Sequence, residues 1–258
     1  MGRPYLLGET TWKIVRQTDY QVAILPWGAT EAHNYHLPYA TDNIQNEYIA
    51  AESARLAWDE GARVVVLPNI PFGVNTGQLD VKLDINMMPS TQLSVLHDVS
   101  HALAGQGIQK LVILNGHGGN DFKQMVREVG ARVPEIFICI INWYKVLDGQ
   151  MFFDDPGDHA GEMETSNLLH IAPELVLSLS EAGTGGTHPF RLEGLRSGWV
   201  WAERVWRKAT DDTGSGNPAL ATAEKGAKFL ETLTQKIAGF MVELAACDTA
   251  NLYERQSA

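Results

Sequence analysis

The sequence predicts an α/β protein whose parallel sheet is covered by helices on both faces. Short apolar, β-branched runs recur four times, and a helical pattern separates each from the next. The runs are continuously apolar instead of alternating with polar residues, which marks strands buried on both faces.

The first run is Val22-Ala23-Ile24-Leu25. Asp42 then stands where a helix would be capped, and that helix carries Ile44, Ile49 and Leu56 to a stop at Gly61. The second run is Val64-Val65-Val66-Leu67, and Ser90 is placed to start a helix with Leu93, Leu96, Val99 and Leu103 on one stripe, ended by Gly105 and Gly107. Leu111-Val112-Ile113-Leu114 is the third run; a further helix leads to the fourth, Ile136-Phe137-Ile138-Cys139-Ile140-Ile141. The last third holds a Gly-rich stretch at 183–187, a Trp-rich segment with Trp199, Trp201 and Trp206, and a closing helix over about 219–246. No repeat, low-complexity tract or long linker divides the chain, so 1–258 reads as one domain.

Composition excludes several classes. Of 258 residues 45% are hydrophobic and 20% charged, which fits neither disorder nor a coiled coil. The net charge of −11 repels phosphate backbones and anionic lipid, so neither nucleic acid nor membrane is expected as a partner. There is no apolar run of bilayer-spanning length and no apolar core of a signal peptide after Met1, so the expectation is a cytoplasmic protein. Cys139 and Cys247 lack zinc or redox spacing and read as buried thiols.

Ligands gather beyond the carboxyl ends of parallel strands, where loops are free of packing duty. Three polar clusters fall there. The first runs Gly28-Ala29-Thr30-Glu31-Ala32-His33-Asn34-Tyr35-His36-Leu37-Pro38 and on to Thr41-Asp42; the second is Asn115-Gly116-His117-Gly118-Gly119-Asn120; the third is Asp158-His159-Ala160-Gly161-Glu162-Met163-Glu164-Thr165-Ser166. Carboxylates and imidazoles from three loops are the donors that a divalent metal site needs. Glu31 and His33 can present neighbouring ligands from one turning loop, and Asp42, with two oxygens, can bridge two ions sharing a hydrolytic site. The glycines around His117 let the backbone pass close and accept φ > 0. His159 and Glu162, three apart, would share a helix face, which favours Glu162 over Glu164 as the ligand. His36, His97, His101, His170 and His188 read individually as surface or hydrogen-bonding residues. The Gly-rich turn lacks the Lys-Ser/Thr of a P-loop and breaks the dinucleotide fingerprint at Asp121, and no Gly-x-Ser-x-Gly elbow supports a serine triad. The Trp-rich segment reads as a pocket wall or subunit contact.

These three clusters, in this order, resemble the creatininase (creatinine amidohydrolase) family, and the resemblance spans about residues 20–170. It implies a three-layer α/β/α sandwich with a mostly parallel central sheet, assembled as a homo-oligomer, usually a hexamer. It also implies two divalent metal ions (zinc, manganese or iron) and hydrolysis of a non-peptide C–N bond in a small cyclic or linear amide. Carried over by position, Glu31, His33, Asp42, His117 and Glu162 become the metal ligands, Asp42 bridging. His159 becomes the proton shuttle and Asp158 its acidic neighbour. Creatinine-hydrolysing members place Tyr and a metal-binding Glu where Gly118 and Gly119 stand here, and Trp where Asp155 stands, so a different pocket is expected. The deformylase and peptide-trimming branches share the Gly-Gly version, which makes a deformylase or peptidase-like activity the enzyme alternative. A non-catalytic small-ligand-binding protein is the alternative outside enzymes.

Overall fold

The computed structural model describes residues 2–254. Four strands, β1 (Val22–Trp27), β2 (Val64–Val66), β3 (Lys110–Asn115) and β4 (Phe137–Asn142), form one sheet in the order β2-β1-β3-β4. Every pairing is parallel. The helices are α1 (Trp12–Val15), α2 (Thr41–Asp59), α3 (Pro89–Gly105), α4 (Lys123–Arg132), α5 (Glu162–Ile171), α6 (Glu193–Arg196), α7 (Trp206–Ala209) and α8 (Ala223–Ala246).

Successive residues of a strand face opposite ways, and the core divides accordingly. Val22, Ile24, Val64, Val66, Val112 and Leu114 pack against α2 and α8, whose Ile49, Phe229, Leu233, Ile237 and Met241 are buried. Ala23, Leu25, Val65, Leu111 and Ile113 pack on the other face against Leu96 and Leu103 of α3 and Met125 and Val129 of α4. The result is the expected three-layer α/β arrangement. Among the described residues no helix is long and apolar enough to cross a membrane.

Several element ends differ from the sequence expectation. Asp42 is not a cap: α2 begins at Thr41 after Ala40, and Asp42 lies in its first turn with its carboxylate committed elsewhere. Helix α3 starts at Pro89, whose fixed φ and missing N–H suit a first helical position. The closing helix begins at Ala223, where the Thr222 hydroxyl accepts from the Lys225 N–H at 3.2 Å, and residues 218–220 form a separate 3₁₀ turn.

The strand order places β1 and β3 side by side although their crossovers leave in opposite directions, so a crevice opens at their carboxyl ends. Trp27 and Asn115 are register partners at that edge. Trp27 is fully buried, its ring 4.9 Å from that of Phe122 and its Nε1–H donating to the Phe72 carbonyl at 3.0 Å. An aromatic pair of this kind adds about 1 kcal/mol beyond its buried area and anchors the loop that follows β1.

Candidate metal centre

The first and second clusters leave the sheet from these two adjacent strand ends, and the third meets them from the start of α5. Together they bring Glu31, His33, Asp42, His117, His159 and Glu164 into one buried group. Donor atoms within 4.8 Å of one another form three overlapping triads: Glu31, Asp42 and His117; His33, Asp42 and Glu164; Glu31, His33 and His159.

Each imidazole is held by a backbone carbonyl at one nitrogen and turns the other inward. His33 Nδ1 pairs with the Glu31 carbonyl at 3.1 Å, His117 Nε2 with the Val74 carbonyl at 3.0 Å, and His159 Nε2 with the Ala32 carbonyl at 2.9 Å. Such a contact fixes the tautomer and orientation of a metal-ligating histidine. The inward nitrogens face carboxylates: His33 Nε2 lies 3.1 Å from Asp42 Oδ1 and 3.9 Å from Glu164 Oε2, and His117 Nδ1 lies 3.0 Å from Glu31 Oε1. His159 Nδ1 is 3.6 Å from the same Glu31 oxygen, and its ring sits 4.0 Å from that of His33.

Burial resists charge throughout this group, and mutual attraction outweighs it. His33 is lifted to about 10 against its burial by the Asp42 carboxylate. His117 is held well above its ordinary value against burial by Glu31 and Asp42, and both carboxylates are held below theirs by the facing imidazoles. A cluster that stabilises cations so strongly fits divalent metal: its donors are hard carboxylates and borderline imidazoles. Asp42 Oδ2 is also buried without any aligned hydrogen bond.

Glu162 is the residue the sequence reading misplaced. Sharing a helix face with His159 would need a helix already running there, but α5 begins only at Glu162, after Ala160 in the left-handed region (φ 51°) and an extended Gly161. Glu162 is therefore turned away from the cage, ion-paired with Lys225 and accepting the Asp155 N–H at 2.9 Å. Glu164, two residues on, points into the cage, one oxygen accepting the Ala160 N–H at 2.6 Å and the other the Gln45 amide at 3.1 Å. Asp158 is likewise displaced from its expected place on His159. Its carboxylate is exposed and pairs with Arg204 at 2.8 Å, and Ala32 orients the imidazole instead.

The second cluster acts by closeness, not by unusual φ, since Gly116, Gly118 and Gly119 all avoid the left-handed region. A Cβ on Gly119 would stand 2.3 Å from the Val74 carbonyl and 2.5 Å from His117 Nε2. The amide of Asn115 accepts the His117 N–H at 3.2 Å and donates to its carbonyl at 2.9 Å, which clamps the turn.

Amides that the sequence did not point to stand behind the candidate ligands. Gln78 donates to Glu31 Oε2, and Asn167 donates to Gln45 at 2.9 Å, which completes a buried chain to Glu164. Gln45 was reachable, because it lies three residues after Asp42 on the same helix face; Gln78 and Asn167 carry no such signal. His36 is buried beside the cage with its Nε2 on the Thr165 hydroxyl at 2.9 Å, and burial pushes it down to about 4, so it stays neutral.

Above the cage lies a pocket of about 480 Å³ that Glu31, His117 and His159 floor. Trp206 is the wall expected of the Trp-rich segment, edge-on to His159 with ring centroids 5.3 Å apart, and the Arg204 guanidinium lies over its ring at 4.6 Å. Trp201 lines the rim and is largely exposed.

Similarity to known proteins agrees with this geometry. A mycofactocin precursor peptide peptidase of Mycolicibacterium smegmatis is 29% identical over 218 residues, covering 81% of this chain and 79% of that protein. The creatinine amidohydrolase of Pseudomonas putida is 26% identical over 206 residues, covering 68% and 75%. A crystal structure from Bacteroides fragilis, provisionally named a creatinine amidohydrolase, superposes with a TM-score of 0.92 at 43% identity, covering 98% of this chain and all (100%) of that one. A manganese form of creatininase shares the fold at a TM-score of 0.74 and 22% identity, covering 95% of this chain and 100% of that one. The family model described as creatininase, creatinine amidohydrolase, matches residues 8–241. That match runs from before β1 into the last turns of α8, and the chain therefore belongs to the creatininase family of metal-dependent amidohydrolases.

Proposed function

We propose that this protein hydrolyses the C–N bond of a small linear or cyclic amide over a pair of divalent ions. The observation that carries the reading is the sharing of Asp42 between two donor triads, with Oδ1 turned to His33 and Oδ2 to His117. Glu31, Asp42 and His117 would hold one ion, and His33, Asp42 and Glu164 the other. Ions held there supply Lewis acidity, which acidifies water and polarises an amide carbonyl.

The chain's own residues supply the rest. Because His159 Nε2–H is spent on the Ala32 carbonyl, its Nδ1 is the nitrogen free to take a proton on the pocket side and return it to the departing nitrogen. An amide nitrogen leaves poorly unless protonated, so this transfer is the chain's main contribution to bond cleavage. Gln78 and Gln45 keep Glu31 and Glu164 aimed inward, and Trp206 restricts the substrate's approach to one side of His159.

A second reading, cleavage of a peptide or formyl amide, is favoured by the likeness to peptide peptidases at 28–29% identity and by the Gly118-Gly119 pair. Assembly into a homo-oligomer belongs to the same proposal and is read by light scattering. The deciding experiment loads the protein with zinc or manganese and follows amine or ammonia release from creatinine, formamides and short peptides. Turnover that a chelator abolishes supports the reading. Tight ligand binding without any turnover would make the protein a sensor.

A further inference from the structure

The walls of the pocket differ in charge. On the side of the Trp-rich segment the charged groups are engaged within the protein, Arg204 with Asp158 at 2.8 Å and Glu203 with the Thr76 hydroxyl. Another part of the lining, from the end of β4 and the residues after it and from the start of α4, contributes Lys123, Asn142, Tyr144 and Lys145. Lys145 Nζ stands 5.6 Å from the centre of the Tyr144 ring. Among the described residues neither lysine has an acidic or hydrogen-bonding side-chain partner, in a chain where acidic residues outnumber basic ones 31 to 20. The Asn142 oxygen is taken by Asn115 at 2.8 Å, which leaves its NH₂ group without a partner. The Tyr144 hydroxyl is pushed up to about 12 by burial and keeps its proton as a donor. Asp121, the acidic residue on this side, accepts the Lys123 backbone N–H at 3.2 Å. This part of the lining is thus rich in donors and cations and shares its pocket with Glu31, His117 and His159 of the cage.

We propose that this wall is a carboxylate subsite, formed by Lys123, Lys145, Tyr144 and Asn142, and that the substrate is an amide carrying a free carboxylate a few bonds from its scissile carbonyl, as in an N-acyl amino acid. The proposal deepens the amide-hydrolase reading and rests on it. Ammonium groups that lack an internal carboxylate gain most from a ligand that brings one, because the resulting hydrogen bonds are charge-assisted. Asn142 and Tyr144 fix where the carboxylate sits, and the lysines set its charge.

The test uses zinc-loaded protein and two kinds of hydroxamate probe, measured by isothermal titration at low salt. Acetohydroxamate engages only the cage. The monohydroxamates of succinic, glutaric and adipic acid carry a carboxylate at increasing distance, and the neutral monoamide of each is the control. At least one of the three acids is expected to bind about tenfold tighter than acetohydroxamate and than its own amide. The Lys123→Gln/Lys145→Gln double variant is expected to lose that advantage while binding acetohydroxamate as before. An advantage at no chain length, or one that survives in the double variant, overturns the carboxylate subsite and leaves the metal reading standing. Failure of acetohydroxamate itself to bind would instead sink the metal-centred reading, and the subsite with it.

Discussion

His117 Nδ1 lies 3.1 Å from Asp42 Oδ2, at hydrogen-bond distance yet without hydrogen-bond alignment. Asp42 Oδ2 is thus a buried carboxylate oxygen beside an imidazole nitrogen with no aligned donor of its own. Asp42 Oδ1 meets His33 Nε2 at the same distance of 3.1 Å on the other side. The carboxylate therefore lies between two groups of candidate donors.

Glu164 and Glu162 give opposite expectations. Glu164→Gln removes a charged donor from the His33 triad, so metal content by mass spectrometry falls from about two ions per chain to about one. Glu162→Gln leaves both ions in place and lowers the melting temperature, because Lys225 loses its buried partner. Metal loss in Glu162→Gln with full loading in Glu164→Gln would restore the assignment drawn from sequence.

Acid and base act differently on the metal-free and metal-loaded protein. The folded value of His33, about 10, lies above its ordinary 6.5, so its stabilising pairing with Asp42 is full below pH 6.5 and is lost as pH climbs toward 10. Metal-free protein should therefore melt lower with each step above neutral pH. Metal binding needs the same nitrogens unprotonated, so it releases protons and weakens as pH falls. Titrations of zinc in two buffers of different ionisation heat measure the protons released at pH 7.5, about one or two per chain. Zero would contradict the proposed role of His33 and His117.

His159→Ala should lower turnover about 10²- to 10⁴-fold, the usual worth of a positioned acid or base, and leave metal content unchanged. His159 also stands in a triad with Glu31 and His33, so metal analysis of this variant separates two roles. Loss of an ion along with activity would make it a ligand.

Gly119→Ala puts a methyl group 2.5 Å from His117 Nε2 and 2.3 Å from the Val74 carbonyl. The contact that orients His117 must then break. Metal affinity should drop about 10- to 100-fold, the range for disturbing a ligand's supporting hydrogen bond. Gly118→Ala meets nothing within 4 Å and serves as the control.

The sheet and most of the cage were legible in sequence for identifiable reasons. Val22 to Leu25 and Leu111 to Leu114 are short, apolar without interruption and partly β-branched, the pattern of a doubly covered strand. Glu31, His33, Asp42 and His117 lie in loops that leave the carboxyl ends of adjacent strands or at the helix start that follows, so topology alone brings them together. The choice between Glu162 and Glu164 turned on where α5 begins. A left-handed Ala160 decided that, and alanine gives no sequence signal for it. The partner of His159 was hidden for a related reason, since a backbone carbonyl such as that of Ala32 leaves no trace in residue identity. Lys225 is 63 residues from Glu162, and only the packing of α8 on α5 reveals their pairing.

In the proposed mechanism Asp42 joins two metal ions. Anomalous diffraction from crystals grown with zinc measures it directly. Two peaks per chain are expected, one beside each Asp42 oxygen, with His117 and Glu31 at the first and His33 and Glu164 at the second. A single peak, or two peaks of which neither touches Asp42, would contradict it.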